Sequence, residues 1–119
     1  MEFSNNKPIY RQIIDYTFAR ILDGSWAPGE RIPSVRELAV SLSVNTHTVL
    51  KALEYLQAHD IIVPRRGMGY YLTDDARQYV DRSRREEFFA EVLPDFIHRM
   101  RSLGITIDEV IAHSNDIDR

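Results

Sequence analysis

The chain has 119 residues, of which 44% are apolar and 28% charged, and it contains no cysteine. That length suits one domain, or a small domain with an appendage, and the apolar share excludes wholesale disorder. The lack of cysteine excludes disulfides, cysteine-ligated zinc, iron–sulfur clusters and thiol catalysis. The net charge of −3 is unevenly spread. Residues 1–73 hold 8 Lys and Arg against 7 Asp and Glu, while residues 74–119 hold 7 against 11. The acidity therefore belongs to the last third, and what decides the partner is which face carries the cations. Residues 1–8 lack the apolar core of a signal peptide. No apolar run approaches the roughly 18 residues of a membrane span. A soluble, cytoplasmic protein with no membrane partner is expected.

Pro8 is expected to open a first helix, since a missing N–H costs little there. Tyr10, Ile14, Thr17, Phe18, Ile21 and Leu22 recur at helical spacing, and Gly24 is a stop. Residues 25–33 contain two prolines and a Pro-Gly pair and read as a loop. Trp26, within it, reads as a core lid over the first helix rather than a ligand-stacking platform. Ser34 and Glu37 form an S-x-x-E capping box for a second helix, whose apolar face is Val35, Leu38, Ala39 and Leu42. Ser43 and Val44 make a tight turn.

Asn45 is an N-cap for a third helix reaching about His59. At 100° per residue, Leu53, Leu56 and Ala52 all fall within about 60° of Val49, giving one core face. His47 and Lys51 fall about 160° from Val49 on either side, with Thr46 and Leu50 flanking them. The run Ile61-Ile62-Val63-Pro64, a turn over residues 65–69 with two glycines and two cations, and Tyr70-Tyr71-Leu72 read as a hairpin.

Residues 75–103 read as helix, with Phe89, Val92, Leu93, Phe96, Met100 and Leu103 at spacings of three and four. Pro94 lies inside this stripe, removes one hydrogen bond and crowds the carbonyl of Ala90, so a kink or break is expected there. Gly104 closes the helix. Thr106 and Glu109 form a second capping box, starting a last helix to about His113, and residues 115–119 are expected to fray.

A mainly α chain with one small β-hairpin follows: a helix, two helices joined by a tight turn, then a hairpin. That order is a winged helix-turn-helix, here followed by a short two-helix tail. The third helix buries one face and offers the other to the major groove, which admits a helix. The hairpin carries cations and glycines at its tip, suited to close approach at the minor groove.

The residues also carry a family resemblance. Pro28-Gly29-Glu30-Arg31-Ile32-Pro33-Ser34-Val35-Arg36-Glu37-Leu38-Ala39 resembles the PGxxLPSxRxLA signature of GntR-type regulators. Val44-Asn45-Thr46-His47-Thr48-Val49-Leu50-Lys51-Ala52-Leu53 resembles their VxxxTVxxAL recognition helix, and residues 61–72 resemble their RxGxGxFV wing. The match runs without a gap over about residues 8–73. The short segment after it, with Leu-Gly-Ile-Thr-Ile-Asp-Glu-Val-Ile at 103–111, resembles the YtrA subfamily, whose two-helix tail serves dimerisation.

The resemblance implies a bacterial transcriptional regulator, most often a repressor, acting as a homodimer on palindromic double-stranded DNA. Residues 1–73 would form the DNA-binding domain and residues 74–119 the dimerisation tail. It implies that Arg36 contacts phosphate or a base edge, and that Thr46 and His47 sit where bases are read. Family members often carry Arg where this chain has Thr46, so His47 takes up part of the readout. Lys51 is placed for phosphate. Arg65, Arg66 and Gly67 form the wing tip, with Arg66 the favoured contact. Ser34, Asn45 and Thr48 add phosphate hydrogen bonds. The stripe of Phe89, Val92, Leu93, Phe96, Met100 and Leu103 is the expected dimer contact.

Each residue also has a plainer reading. Arg36, His47 and one of the two wing arginines could be solvated surface. Glu109 with His113, and Asp95 with His98, have no third ligand fixed by spacing, so no metal and no cofactor is expected. The tail leaves little room for an effector pocket, and the sequence names no effector. The alternative to a DNA reader is a winged helix used for protein–protein contact, for which Leu50 and Glu54 speak and Thr46, His47 and Lys51 do not. No nucleophile–base pair, phosphate-cradling loop or carboxylate pair points to an enzyme.

Overall fold

A computed structural model describes residues 7–118. The helices are α1 (Ile9–Leu22), α2 (Val35–Leu42), α3 (Thr46–Ala58), α4 (Ala76–Glu87), α5 (Leu93–Ser102) and α6 (Ile107–Ile117). Two strands, β1 (Ile62–Arg65) and β2 (Gly69–Leu72), lie between α3 and α4. The chain divides into two compact units, residues 1–82 and 83–119. The division falls after Arg82 rather than at the composition change near residue 74. The cause is that Ala76 and Val80, on the first turns of α4, are buried with the core of the first unit.

That core takes Ile13, Phe18 and Ile21 from α1, Leu38 and Leu42 from α2, and Val49, Leu53 and Leu56 from α3. Ile61, Ile62 and Leu72 close it from the hairpin. Val49, Ala52, Leu53 and Leu56, the stripe expected to face inward, are all fully buried. Trp26 is a core residue, with its ring edge-on to Tyr16 at 6.5 Å between centroids.

Local chemistry explains most boundaries. The Glu37 N–H donates to Ser34 Oγ (3.1 Å) and the Ser34 N–H donates to Glu37 Oε1 (3.3 Å), completing the first capping box. Thr106 and Glu109 repeat it at α6. Pro8 is extended (φ −54°, ψ 149°) and precedes the first helical residue instead of being it. The turn between α2 and α3 is closed by Ser43 in the left-handed conformation (φ 56°, ψ 46°).

The hairpin pairs Ile62 with Leu72 and Arg65 with Gly69, so both strands reach one residue further into the turn than expected. Gly67 (φ +73°) and Gly69 (φ +94°) supply the left-handed backbone that this tight connection needs. The loop before α2 is more ordered than its prolines suggest. The Gly29 N–H donates to Leu72 O, the Leu72 N–H to Glu30 O, and the Ile32 N–H to Tyr70 O, at 2.9, 2.9 and 3.0 Å. Arg31 thereby bridges antiparallel to Tyr71. Pro28 and Pro33 flank this short pairing segment and so do not interrupt it. β2 is bonded on both edges.

In the second unit Pro94 does not end the helical path. Residues Phe88–Val92 form a π-helical stretch leading into α5, with Pro94 in the first turn of that helix. A π stretch pairs each N–H one residue further back than an α-helix does, which gives the backbone next to the proline another way to satisfy its groups. α6 runs to Ile117, beyond the expected end near His113. No glycine or proline follows Gly104 to stop it, so residues 115–117 are helical rather than frayed. Arg119 lies outside the described residues.

Candidate nucleic-acid interface

The first turn of α3 is built by Asn45. Its Oδ1 accepts the His47 N–H (2.8 Å), and its carbonyl accepts the N–H groups of Thr48 (3.1 Å) and Val49 (3.2 Å). These backbone donors are already satisfied, so the helix start offers a ligand mainly side chains. Thr46 and His47 are exposed, Thr48 is half-buried, and Asn45 keeps its Nδ2 as a donor.

Lys51 lies one turn further along. Its ammonium stands 4.0 Å from the centroid of the Tyr10 ring on α1. Ile9, Tyr10, His47, Thr48 and Lys51 together line an open cleft where the starts of α1 and α3 adjoin. Tyr10 belongs to the apolar stripe of α1, and its second role as a platform for Lys51 was not visible from that stripe. The contact joins residues 41 positions apart, and only the packing of α1 on α3 reveals it.

The second helix contributes Arg36, exposed in its first turn beside the capping box. Ser34 is half-buried, and its Oγ accepts the Glu37 N–H. The neighbouring Glu37 carboxyl is held below its ordinary range, first by the Ser34 backbone N–H, then by the Ser34 hydroxyl and the Arg31 guanidinium. Arg31 Nη2 is 3.9 Å from Glu37 Oε1. The negative charge nearest Arg36 in sequence is thus occupied as a helix cap.

The two wing arginines have different surroundings. Arg65 lies over the Tyr71 ring at 4.2 Å, folded back along the hairpin. Arg66 and Gly67 are exposed in the turn itself. A Cβ at Gly67 would meet nothing within 4 Å, so its glycine answers to backbone conformation. At Gly69 a Cβ would come within 3.2 Å of Arg31 Nε as well. The side chains expected at DNA come from three stretches of this unit: residues 34–36, 45–51 and 65–67.

In the second unit Phe89, Val92, Phe96 and Leu103 are exposed, Leu93 is half-buried, and Met100 is buried. Met100 is thus already covered in the single chain. Phe88, Ile107 and Ile111, which the α4–α5 stripe did not include, are also exposed. Asp95 is engaged by Arg99 Nε at 3.1 Å. Among the described residues no three His, Cys, Asp or Glu side chains gather as a metal site. No helix among them is long and apolar enough to cross a membrane.

Residues 9–72 match the family of bacterial regulatory proteins designated gntR. Over 110 residues the chain is 34% identical to YhcF of Bacillus subtilis, an uncharacterised HTH-type transcriptional regulator, covering 92% of this chain and 89% of that protein. Over 73 residues it is 41% identical to the B. subtilis transcriptional repressor YtrA, covering 61% of this chain and 56% of that protein. Among solved structures, a GntR family transcriptional regulator from Listeria monocytogenes superposes with a TM-score of 0.77 at 34% identity, over 96% of this chain and 98% of that one. The DNA-binding domain of AraR, solved in complex with operator ORR3, superposes with a TM-score of 0.55 at 25% identity, over 61% of this chain and 88% of that one.

Proposed function

The chain belongs to the GntR family of bacterial regulatory proteins, and on that premise we propose that it is a cytoplasmic repressor that binds a palindromic operator as a homodimer. Its first unit is a winged helix-turn-helix of the kind found in this family's transcriptional regulators. α3 enters the major groove with Thr46 and His47 at base edges. Lys51 and Arg36 meet phosphates, and Arg66 with Gly67 approaches the minor groove. Asn45, Thr48 and Ser34 donate to the backbone, and Arg65 lies alongside as a weaker charge.

The observation that carries this reading is the two-sidedness of α3. Val49, Ala52, Leu53 and Leu56 are fully buried, while Thr46, His47 and Lys51 are exposed together. A protein-docking face would instead be mostly apolar or acidic. The relatives supply the rest: YtrA is a repressor, and the AraR domain was solved on an operator.

Dimerisation falls to the second unit, residues 83–119. Phe89, Val92, Phe96 and Leu103 leave more apolar side chain in water than a monomer gains from. A second copy covers them. Two recognition helices then meet half-sites about 34–36 Å apart.

Selection of bound duplexes from a random library, at two salt concentrations, tests the reading. An enriched palindrome and an affinity that falls steeply with salt are expected. Weak, sequence-blind binding would overturn it in favour of protein docking.

A further inference from the structure

Leu50 is 38% exposed, on a helix whose other large aliphatic side chains, Val49, Leu53 and Leu56, are fully buried. It is not one of the side chains of the buried core cluster. Its helical neighbours decide what kind of contact it fits. Thr46 and His47 lie four and three residues before it, Glu54 four after, and all are exposed and polar. Leu50 is thus an apolar spot on a stretch of α3 whose exposed i±3 and i±4 neighbours are hydrogen-bonding groups. A protein partner's apolar face would need several such positions together. A base pair presents the complementary pattern. Thymine carries one methyl group, at C5, next to its O4 acceptor in the major groove.

We propose that Leu50 packs on the C5-methyl of a thymine in each operator half-site, making this residue a determinant of base preference. The assignment rests on the operator-binding reading above and names the base that the middle of α3 selects. Thr46 and His47 address the polar edges on either side of that methyl, and Lys51 holds the strand.

The test uses the operator recovered from the random-library selection. Each half-site thymine is replaced in turn by deoxyuridine, which removes the methyl and nothing else. Affinities are measured for the full-length protein and for Leu50→Ala. At one half-site position the wild type loses about fourfold in affinity, the equivalent of roughly 0.8 kcal/mol for one methyl-sized group. Leu50→Ala binds the thymine and uracil duplexes alike there, while still preferring the operator over a scrambled duplex. A second variant, Leu50→Gln, selects adenine at that position when the library is rebound, since glutamine pairs with the adenine edge. Indifference of the wild type to every uracil, or methyl sensitivity surviving in Leu50→Ala, overturns the assignment and leaves operator binding intact. Failure to enrich any site overturns both.

Discussion

The ammonium of Lys51, on the recognition helix, lies 4.0 Å from the centre of the Tyr10 ring, on a helix that begins some forty residues earlier. A lysine side chain is otherwise free to sample many rotamers. The ring holds this one against the surface of the first unit and fixes where its charge stands. Replacing Tyr10 by Leu keeps the packing and removes the platform. Operator affinity then falls about two- to fivefold, as a cation–π contact of 0.5–1 kcal/mol requires. Lys51→Ala weakens binding to all sequences alike and lowers the salt slope by about one. Titrations at several salt concentrations measure both, and a sequence-selective loss would mean that Lys51 reads a base.

The wing separates its two arginines. Arg65 rests on Tyr71, and Arg66 stands in the turn. Arg66→Ala is expected to lower affinity more than Arg65→Ala, with unchanged thermal unfolding for both. Equal losses would show that Arg65 leaves the Tyr71 ring when DNA arrives.

The start of α2 should respond to acid. The Glu37 carboxyl is held below its ordinary range by the N–H and hydroxyl of Ser34. Its folded-state pKa is therefore lower than its unfolded one. The contribution is complete above about pH 4.3, the ordinary glutamate value, and is lost as pH falls through the depressed value. Urea unfolding at pH 7 and pH 3 should show part of the acid loss disappearing in Glu37→Gln. Ser34→Ala should cost about 1 kcal/mol at neutral pH.

Ser43 sits at φ 56°, a left-handed conformation that glycine adopts without strain. Ser43→Gly is expected to stabilise the first unit by about 0.5 kcal/mol, after the added freedom of the unfolded chain is counted. Ser43→Val should destabilise it by about 1–2 kcal/mol. Chemical denaturation reads both, and a destabilising glycine would mean that the serine side chain holds the turn.

Phe89 and Phe96 are roughly half exposed in the second unit. Phe89→Asp with Phe96→Asp should give a monomer in sedimentation and leave the first unit folded. Operator affinity should drop on the order of a hundredfold, because the second half-site loses its effective concentration. A dimer that survives both charges places the contact elsewhere, with Ile107 and Ile111 of α6 the next surface to test.

What could be read from the sequence was local. The pair Ser34 and Glu37, the Asn45 cap and the stripe from Val49 to Leu56 each act within two turns of one helix, and spacing alone reveals them. The hairpin announces itself by β-branched residues on one side of two glycines. Contacts between distant stretches were not legible. Nothing in Tyr10 marks it as the seat of Lys51, and nothing in residues 29–32 marks them as partners of β2. Pro94 announced a disturbance, yet a π stretch, a kink and a break are all answers to the same missing N–H. The reach of α6 to Ile117 is not legible, because its polar end resembles a tail.

The segment 29–32 has a practical meaning for anyone exchanging parts between relatives. β2 is held along both edges, by β1 and by this segment. The wing is thus a three-ply ribbon whose third ply also delivers the chain to Ser34 and α2. A wing transplanted as residues 62–72 alone would bring an edge shaped for another protein's leader. Domain swaps meant to rewrite minor-groove preference should carry residues 29–33 along with the hairpin, as one cassette made of two pieces.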